Sequence, residues 1–190
     1  MKTGLRLFQR YRLIFAYYNL LRFRIRRLLI GFDFANMFLQ RLDKQSVLLI
    51  LKDYGAQIGS NCDIETGLIF HNCNDYSNLI IGDNCHIGKN CFFDLRNKVI
   101  IGANVVISMQ SSFLTHLDMS KSELRSLYPA ISKSIKVLNN VYIGSRSIIL
   151  MGVVLDENSI VAAGSLVKDN VASRTLVGGV PAKKIKDINL

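Results

Sequence analysis

The chain has 190 residues, 49% of them hydrophobic and 20% charged, enough for one domain with an ordered core plus a modest extension. Its formal charge of +10 is unevenly spread: residues 1–30 hold Lys2, Arg6, Arg10, Arg12, Arg22, Arg24, Arg26 and Arg27 and no acidic residue, so the remaining body is close to neutral. Low-complexity tracts are absent, which excludes a disordered scaffold.

In chain order, the basic arm comes first. Its longest uncharged apolar-rich run, Leu13 to Leu21, is broken by Arg22, Arg24, Arg26 and Arg27. That is too short for a membrane span and carries no cleavage site of the secretory kind. Phe8, Tyr11, Ile14, Phe15, Tyr18, Leu21 and Ile25 recur near helical spacing. Two readings stay open for this helix: packing on the repeat domain or a neighbouring subunit, or lying on an anionic membrane surface. Nucleic acid is not expected as a partner. Residues 40–55 read as a further helix ending at Gly55, so 1–54 form a helical arm and cap.

From about residue 55 one six-residue phrase recurs. Apolar anchors fall at Ile58 and Ile64, at Ile81, Ile87 and Phe93, at Ile101, Ile107 and Phe113, and then at Ile143, Ile149, Leu155, Val161 and Val167. Gly follows the anchor at Gly59, Gly82, Gly88, Gly102 and Gly144, and Asn precedes it by three at Asn61, Asn84, Asn90, Asn104, Asn140 and Asn158. A fixed short period means one unit stacked on copies of itself. The phrase suits a short strand and a sharp bend at which Gly and Asn accept positive φ. Three phrases close a triangular coil, and the anchors point inward. The domain 55–190 is therefore expected to be all-β, a parallel β-helix.

The small slot two before the anchor holds Cys62, Cys85 and Cys91 where other phrases place Ser or Val. These cysteines read as buried fillers. With Cys73 outside the frame and no CxxC pair, neither zinc nor a disulfide framework is expected, and reduced thiols suit a cytoplasmic setting.

Interruptions mark where chemistry is expected. The stretch 71–78 carries His71, Cys73 and Asp75; residues 114–136 leave the frame as a loop extruded from one corner; and 170–190 leave it as a tail.

Four motifs resemble the hexapeptide-repeat O-acetyltransferases acting on sugars. They are Thr115-His116-Leu117-Asp118, Val141-Tyr142-Ile143-Gly144-Ser145, Ala162-Ala163-Gly164-Ser165-Leu166-Val167 and Gly179-Val180-Pro181-Ala182-Lys183. The arm and the run Leu51 to Gly59 look more like the polysaccharide-biosynthesis branch. The usual Thr-Lys-Asp after the third motif is here Lys168-Asp169-Asn170, and the usual Pro-Gly is Met151-Gly152. The resemblance implies a left-handed β-helix and a homotrimer with sites between subunits. It implies acetyl-CoA as donor, without metal, and a sugar or glycan-precursor hydroxyl as acceptor. It implies His116 as general base and Ser145 as oxyanion donor. Gly144, Ala162 and Ala163 would lie along the pantetheine, Lys183 and Lys186 at the CoA phosphates, and Asp94 at acceptor hydroxyls. The enzyme would be cytoplasmic, with the arm as a peripheral contact at the inner face of the membrane in the second reading.

Histidine is the natural base for a hydroxyl proton near neutral pH. Of the three, His71 and His86 read as solvated side chains, whereas position and motif agree at His116. An amino sugar or amino acid acceptor, or a non-catalytic β-helix scaffold, are the alternatives. A γ-type carbonic anhydrase is set aside because the histidine spacing does not fit, and a serine acetyltransferase because the N-terminal segment is too short.

Overall fold

Each phrase builds a strand of two or three residues whose anchor is buried, followed by a corner. The computed structural model, which describes residues 2–189, stacks these strands into three faces. The first face holds Gln57–Ile58, Leu79–Ile81, Val99–Ile101, Ile135–Val137 and Val154–Leu155. The second holds Asp63–Ile64, His86–Ile87, Val106–Ile107, Tyr142–Ile143 and Ile160–Val161, and the third holds Ile69–His71, Phe92–Asp94, Ser112–Leu114, Ile148–Leu150 and Leu166–Val167. Neighbours within each face are parallel and in register, Ile64 on Ile87 on Ile107 for example.

Every anchor named from the sequence is buried, and Phe70 and Val137 extend the same frame. Each such side chain contributes roughly 1.5–3 kcal/mol through burial. On the third face the rings of Phe70, Phe93 and Phe113 form a column with centroids 5.6 and 5.0 Å apart.

The corner residues divide their work differently from the expectation. The six Asn do take positive φ, between 53° and 60°, and their amides form a ladder, Asn61 to Asn84 at 2.7 Å and Asn84 to Asn104 at 2.8 Å. The Gly after each anchor does not take positive φ. It is required by close approach: a Cβ on Gly144 would lie 2.5 Å from the Ala163 nitrogen of the next coil. The small corner slot also has a shared task. Cys85 Sγ donates to the Gly102 carbonyl at 3.0 Å, and Ser111 Oγ and Ser147 Oγ donate to Gly144 and Ala162 at 3.2 and 3.1 Å. Cys and Ser exchange there because either can donate to the next coil.

Three helices close the open first coil: α1 (Lys2–Ile30), α2 (Phe32–Leu39) and α3 (Lys44–Asp53). The helix expected over 40–55 begins only at Lys44, because the Asp43 carboxylate caps the Gln45 and Ser46 N–H groups at 3.1 and 3.2 Å. α1 buries Ala16, Asn19, Leu20 and Phe23. Asn19 donates to Ser46 at 3.0 Å, and Phe23 packs edge-on to Tyr54. The apolar stripe singled out from the sequence lies on another side of the helix: Tyr11, Ile14, Phe15, Tyr18, Leu21 and Ile25 are all exposed. Phe8 lies outside the residues whose side chains are described.

The extruded loop is slightly shorter than 114–136. It opens as a small antiparallel pair, His116–Leu117 with Ile131–Ser132, and the coil is rejoined at Ile135. The tail does not leave the coil at 170. Val171 bridges Leu155, and Thr175–Gly179 runs parallel to Ile160–Val161 before Ala182–Asp187 folds back antiparallel. Backbone pairing there continues without the six-residue period, burying Val171, Thr175 and Val177.

Candidate active site

The corner after the third face is where the repeat breaks, and there the chain gathers its polar groups. Asp94 ends the strand Phe92–Asp94, and His116 follows Leu114, the end of the strand stacked on it. Asp94 is 1% exposed. Its Oδ2 lies 2.5 Å from His116 Nδ1 and accepts from the Thr115 N–H and hydroxyl, both at 2.8 Å. Its Oδ1 accepts from Asn72 at 2.9 Å and from the Arg96 N–H at 3.3 Å. Burial would raise the carboxyl's pKa. The hydrogen bonds from His116, Asn72, Thr115 and Arg96 outweigh it and bring the carboxyl down to about 2.

An ionised Asp94 has no proton to offer, so His116 Nδ1 must donate to it. In the neutral ring that fixes the tautomer and makes Nε2 the acceptor. Asn72 Nδ2 sits 3.5 Å from both ring nitrogens. Asp94, expected at the acceptor hydroxyls, has both its oxygens hydrogen-bonded within the chain, one of them to His116.

Beside this pair lies a pocket of about 720 Å³ between α2 and the same corner, lined by Asp33, Asn36, His71, Asn72, Cys73 and Arg96 among others. Asn36 is fixed by donating to the Phe70 carbonyl at 2.7 Å and accepting from Tyr76 at 3.1 Å. Arg96 pairs with Asp118 at 2.8 Å, tying the root of the loop to the pocket's edge. Burial, with Asp33, Asp75 and Asp94 nearby, pushes the Cys73 thiol up to about 12, so it stays protonated. His71 is exposed and one strand away, in register with Asp94. His86 is on the second face, 3.0 Å from Asp63, and belongs to another surface.

The remaining expected residues sit elsewhere. Gly144 and Ser145 follow the strand Tyr142–Ile143, and Ala162 and Ala163 follow Ile160–Val161, so all four lie at the corner between the second and third faces. Ser145 borders a smaller pocket of about 290 Å³ with Glu65, His86, Lys89, Ser108 and Met109. Lys183 and Lys186 are exposed on the last strand, opposite Gly178 and Leu176. One chain thus joins His116 to Asp94 but keeps both apart from Ser145, Ala162 and Ala163. Asn72, Thr115 and Arg96 were not singled out from the sequence. Asn72 had one signal, its place in the 71–78 break, and Thr115 another, its place in the motif with His116; Arg96 had none. Among the described residues no cluster of three His, Cys, Asp or Glu side chains is placed to hold a metal.

The hexapeptide repeat of succinyl-transferase, as a family, matches residues 78–109 and 136–168. A galactoside O-acetyltransferase of Escherichia coli (strain K12) is 28% identical over 172 residues, 87% of this chain and 79% of its own length. The chain is a hexapeptide-repeat acetyltransferase. Its β-helix is left-handed. A hexapeptide-repeat-containing acetyltransferase from Vibrio cholerae superposes with a TM-score of 0.71 at 27% identity, covering 80% of this chain and 85% of that one. The same Vibrio protein complexed with acetyl-CoA gives 0.68 at 25% identity, covering 92% and 87%.

Proposed function

We propose that this acetyltransferase moves an acetyl group from acetyl-CoA to a hydroxyl of a sugar or glycan precursor, with His116 as general base. The observation that carries the assignment of the base is the His116–Asp94 pair. With Nδ1 donating to Asp94, the neutral ring keeps its lone pair on Nε2, and Asn72, 3.5 Å from the ring, lines the polar pocket. The names of the relatives support donor and acceptor: the Escherichia coli protein is a galactoside O-acetyltransferase, and the Vibrio structure is a complex with acetyl-CoA.

In this reading Nε2 takes the hydroxyl proton as the acceptor oxygen attacks the thioester carbonyl. The imidazolium that forms is stabilised by Asp94. The oxyanion is met by Ser145, and its collapse expels the CoA thiolate, which recovers the proton from His116. Asp33, Asn36, Asn72 and Arg96 offer donors and acceptors suited to a polyhydroxylated acceptor. Ala162 and Ala163 let the pantetheine lie close to the second corner, and Lys183 and Lys186 face the phosphates. Because His116 and Ser145 occupy different corners, the working site combines two copies, and a homotrimer closes three such sites.

The test is CoA-thiol release from acetyl-CoA over a panel of sugars, nucleotide sugars, amino sugars and amino acids. Acceptor-dependent release that falls by about 10²-fold or more in His116→Ala is the expected result. Turnover surviving the substitution removes His116 from the role, and a preference for amines over hydroxyls replaces O-transfer by N-transfer.

A further inference from the structure

The outer side of α1 has no counterpart in the fold. Ala16, Asn19, Leu20 and Phe23 hold the helix to α2 and α3. On the side turned away from the body, Tyr11, Ile14, Tyr18, Leu21, Ile25 and Leu28 follow one another at spacings of three and four, all at least 46% exposed. Phe15, Tyr17 and Leu29 widen this stripe, and they too are exposed. At about 1.5 Å per residue, the face from Tyr11 to Leu29 is about 27 Å long. No charged side chain interrupts the row from Tyr11 to Leu28; Arg22 and Arg24 stand on its two flanks, Arg24 paired with Asp53 at 2.7 Å. Arg22 and Arg26 stack on the Phe38 ring at 4.8 and 4.6 Å, which holds their guanidinium groups beside the stripe.

Three occupants can be compared on charge. A second copy seated through a three-four seam would set Arg22 and Arg24 against the same residues of its neighbour. The seam's flanks need opposite charges, and residues 1–30 contain none to offer. Nucleic acid would engage guanidinium groups turned outward, whereas the outward direction here is apolar. An anionic bilayer meets both features at once: the apolar stripe enters the acyl boundary while the flanking arginines reach the headgroups. Among the described residues no helix is long and apolar enough to cross a membrane, so the contact is one of lying on the surface.

We propose that the outward face of α1 docks this protein on an anionic phospholipid bilayer. The acceptors within reach are then those held at that surface. Only Gly31 separates α1 from α2, and α2 lines the polar pocket next to His116 through Asp33, Asn36 and Met37. This last step rests on the function proposed above; the docking itself does not.

The experiment is co-sedimentation of the full chain with phosphatidylglycerol–phosphatidylcholine vesicles, against vesicles of phosphatidylcholine alone. Binding to the anionic vesicles, weakened by salt and reduced about tenfold or more in Leu21→Glu/Ile25→Glu, is the expected result. Arg22→Gln/Arg26→Gln, which leaves the stripe intact, lowers binding to anionic vesicles several-fold. Full chain that stays in the supernatant overturns the proposal, as does binding unchanged in both variants. Sedimentation velocity without lipid supplies a further refutation: wild type that ignores vesicles, with Leu21→Glu/Ile25→Glu falling to a smaller assembly, gives the face to a second copy. CoA release with a soluble acceptor is measured in parallel and stays at the wild-type level in the stripe variant. Failure of docking and failure of the proposed chemistry are therefore read separately.

Discussion

Replacing Asp94 by Asn changes one atom at the centre of the site, and its consequences can be worked from the contacts. The carboxylate accepts five hydrogen bonds: from His116, the Thr115 N–H and hydroxyl, Asn72 and the Arg96 N–H. An amide has one oxygen and one NH₂, so whichever way it turns, a donor is set against a donor. If the oxygen stays toward His116, the tautomer survives but the charge that stabilises the imidazolium is lost. With the charges about 4 Å apart and an effective dielectric of about 20, that charge is worth about 4 kcal/mol, on the order of 10³ in rate. If the NH₂ faces His116 instead, it donates to Nδ1 and the proton moves to Nε2, which leaves no base. Both orientations predict a fall of about 10³-fold in kcat with little change in KM for acetyl-CoA.

Stability changes as well. Asp94 is held at about 2, below the ordinary 3.8. A lowered folded-state pKa contributes stability that is fully present above the unfolded value and lost as pH falls from about 4 to about 2. At neutral pH the contribution is about 2 kcal/mol. Urea unfolding of wild type and Asp94→Asn at pH 7 shows this gap, and it narrows in acid. Activity within fivefold of wild type in the folded variant would refute the account of how His116 is set.

Three further outcomes follow from the same geometry. His116→Ala and Ser145→Ala subunits, each nearly inactive alone, recover part of the wild-type CoA release when unfolded and refolded together, because mixed assemblies contain sites with both groups intact; recovery of none refutes the shared site. Gly144→Ala forces apart two coils whose backbones leave no room for a Cβ, since the Ala163 nitrogen would be 2.5 Å away, and lowers stability by about 1–3 kcal/mol in a thermal or urea melt. Cys73, pushed up to about 12, is alkylated by iodoacetamide at pH 8 on the order of 10²-fold more slowly than a free cysteine, followed by peptide mass mapping.

The coils were legible in the sequence because their physics is periodic. A buried anchor every sixth residue, an Asn able to take positive φ and a Gly with no room for a Cβ each leave a mark at fixed spacing. The helical arm was legible too, but not the side it buries. Ala16 and Asn19 face the body because Ser46 offers Asn19 a partner, 27 positions away. Nothing local to the arm encodes that. The tail was legible as leaving the six-residue frame but not as staying on the coil: Thr175–Gly179 keeps the backbone ladder while abandoning the side-chain period. At the site, His116 stood out by motif and by its place in the longest break. The partners of Asp94 did not, since one residue type hydrogen-bonds an acceptor hydroxyl or a histidine equally well until neighbours are placed.

Those neighbours explain why the break and the chemistry coincide. In a regular corner the backbone N–H groups are taken by carbonyls of the adjoining coil, as Leu95 N–H is by the His71 carbonyl. Around the point where the loop departs, the N–H groups of Arg96, Asn97 and Thr115 bond to side chains instead. Asp94 accepts from the Thr115 and Arg96 N–H groups, and Thr115 Oγ1 accepts from the Asn97 N–H at 3.1 Å. A carboxylate needed to end the ladder is thereby buried, ionised and immobile, with its remaining lone pair directed at His116. The same bonds that repair the interrupted coil hold the carboxylate against His116, so Asp94 cannot be altered for one purpose alone. Loss of activity and loss of acid-sensitive stability should therefore appear together in any substitution at this position, and a variant that separates them would show that another group completes the ladder.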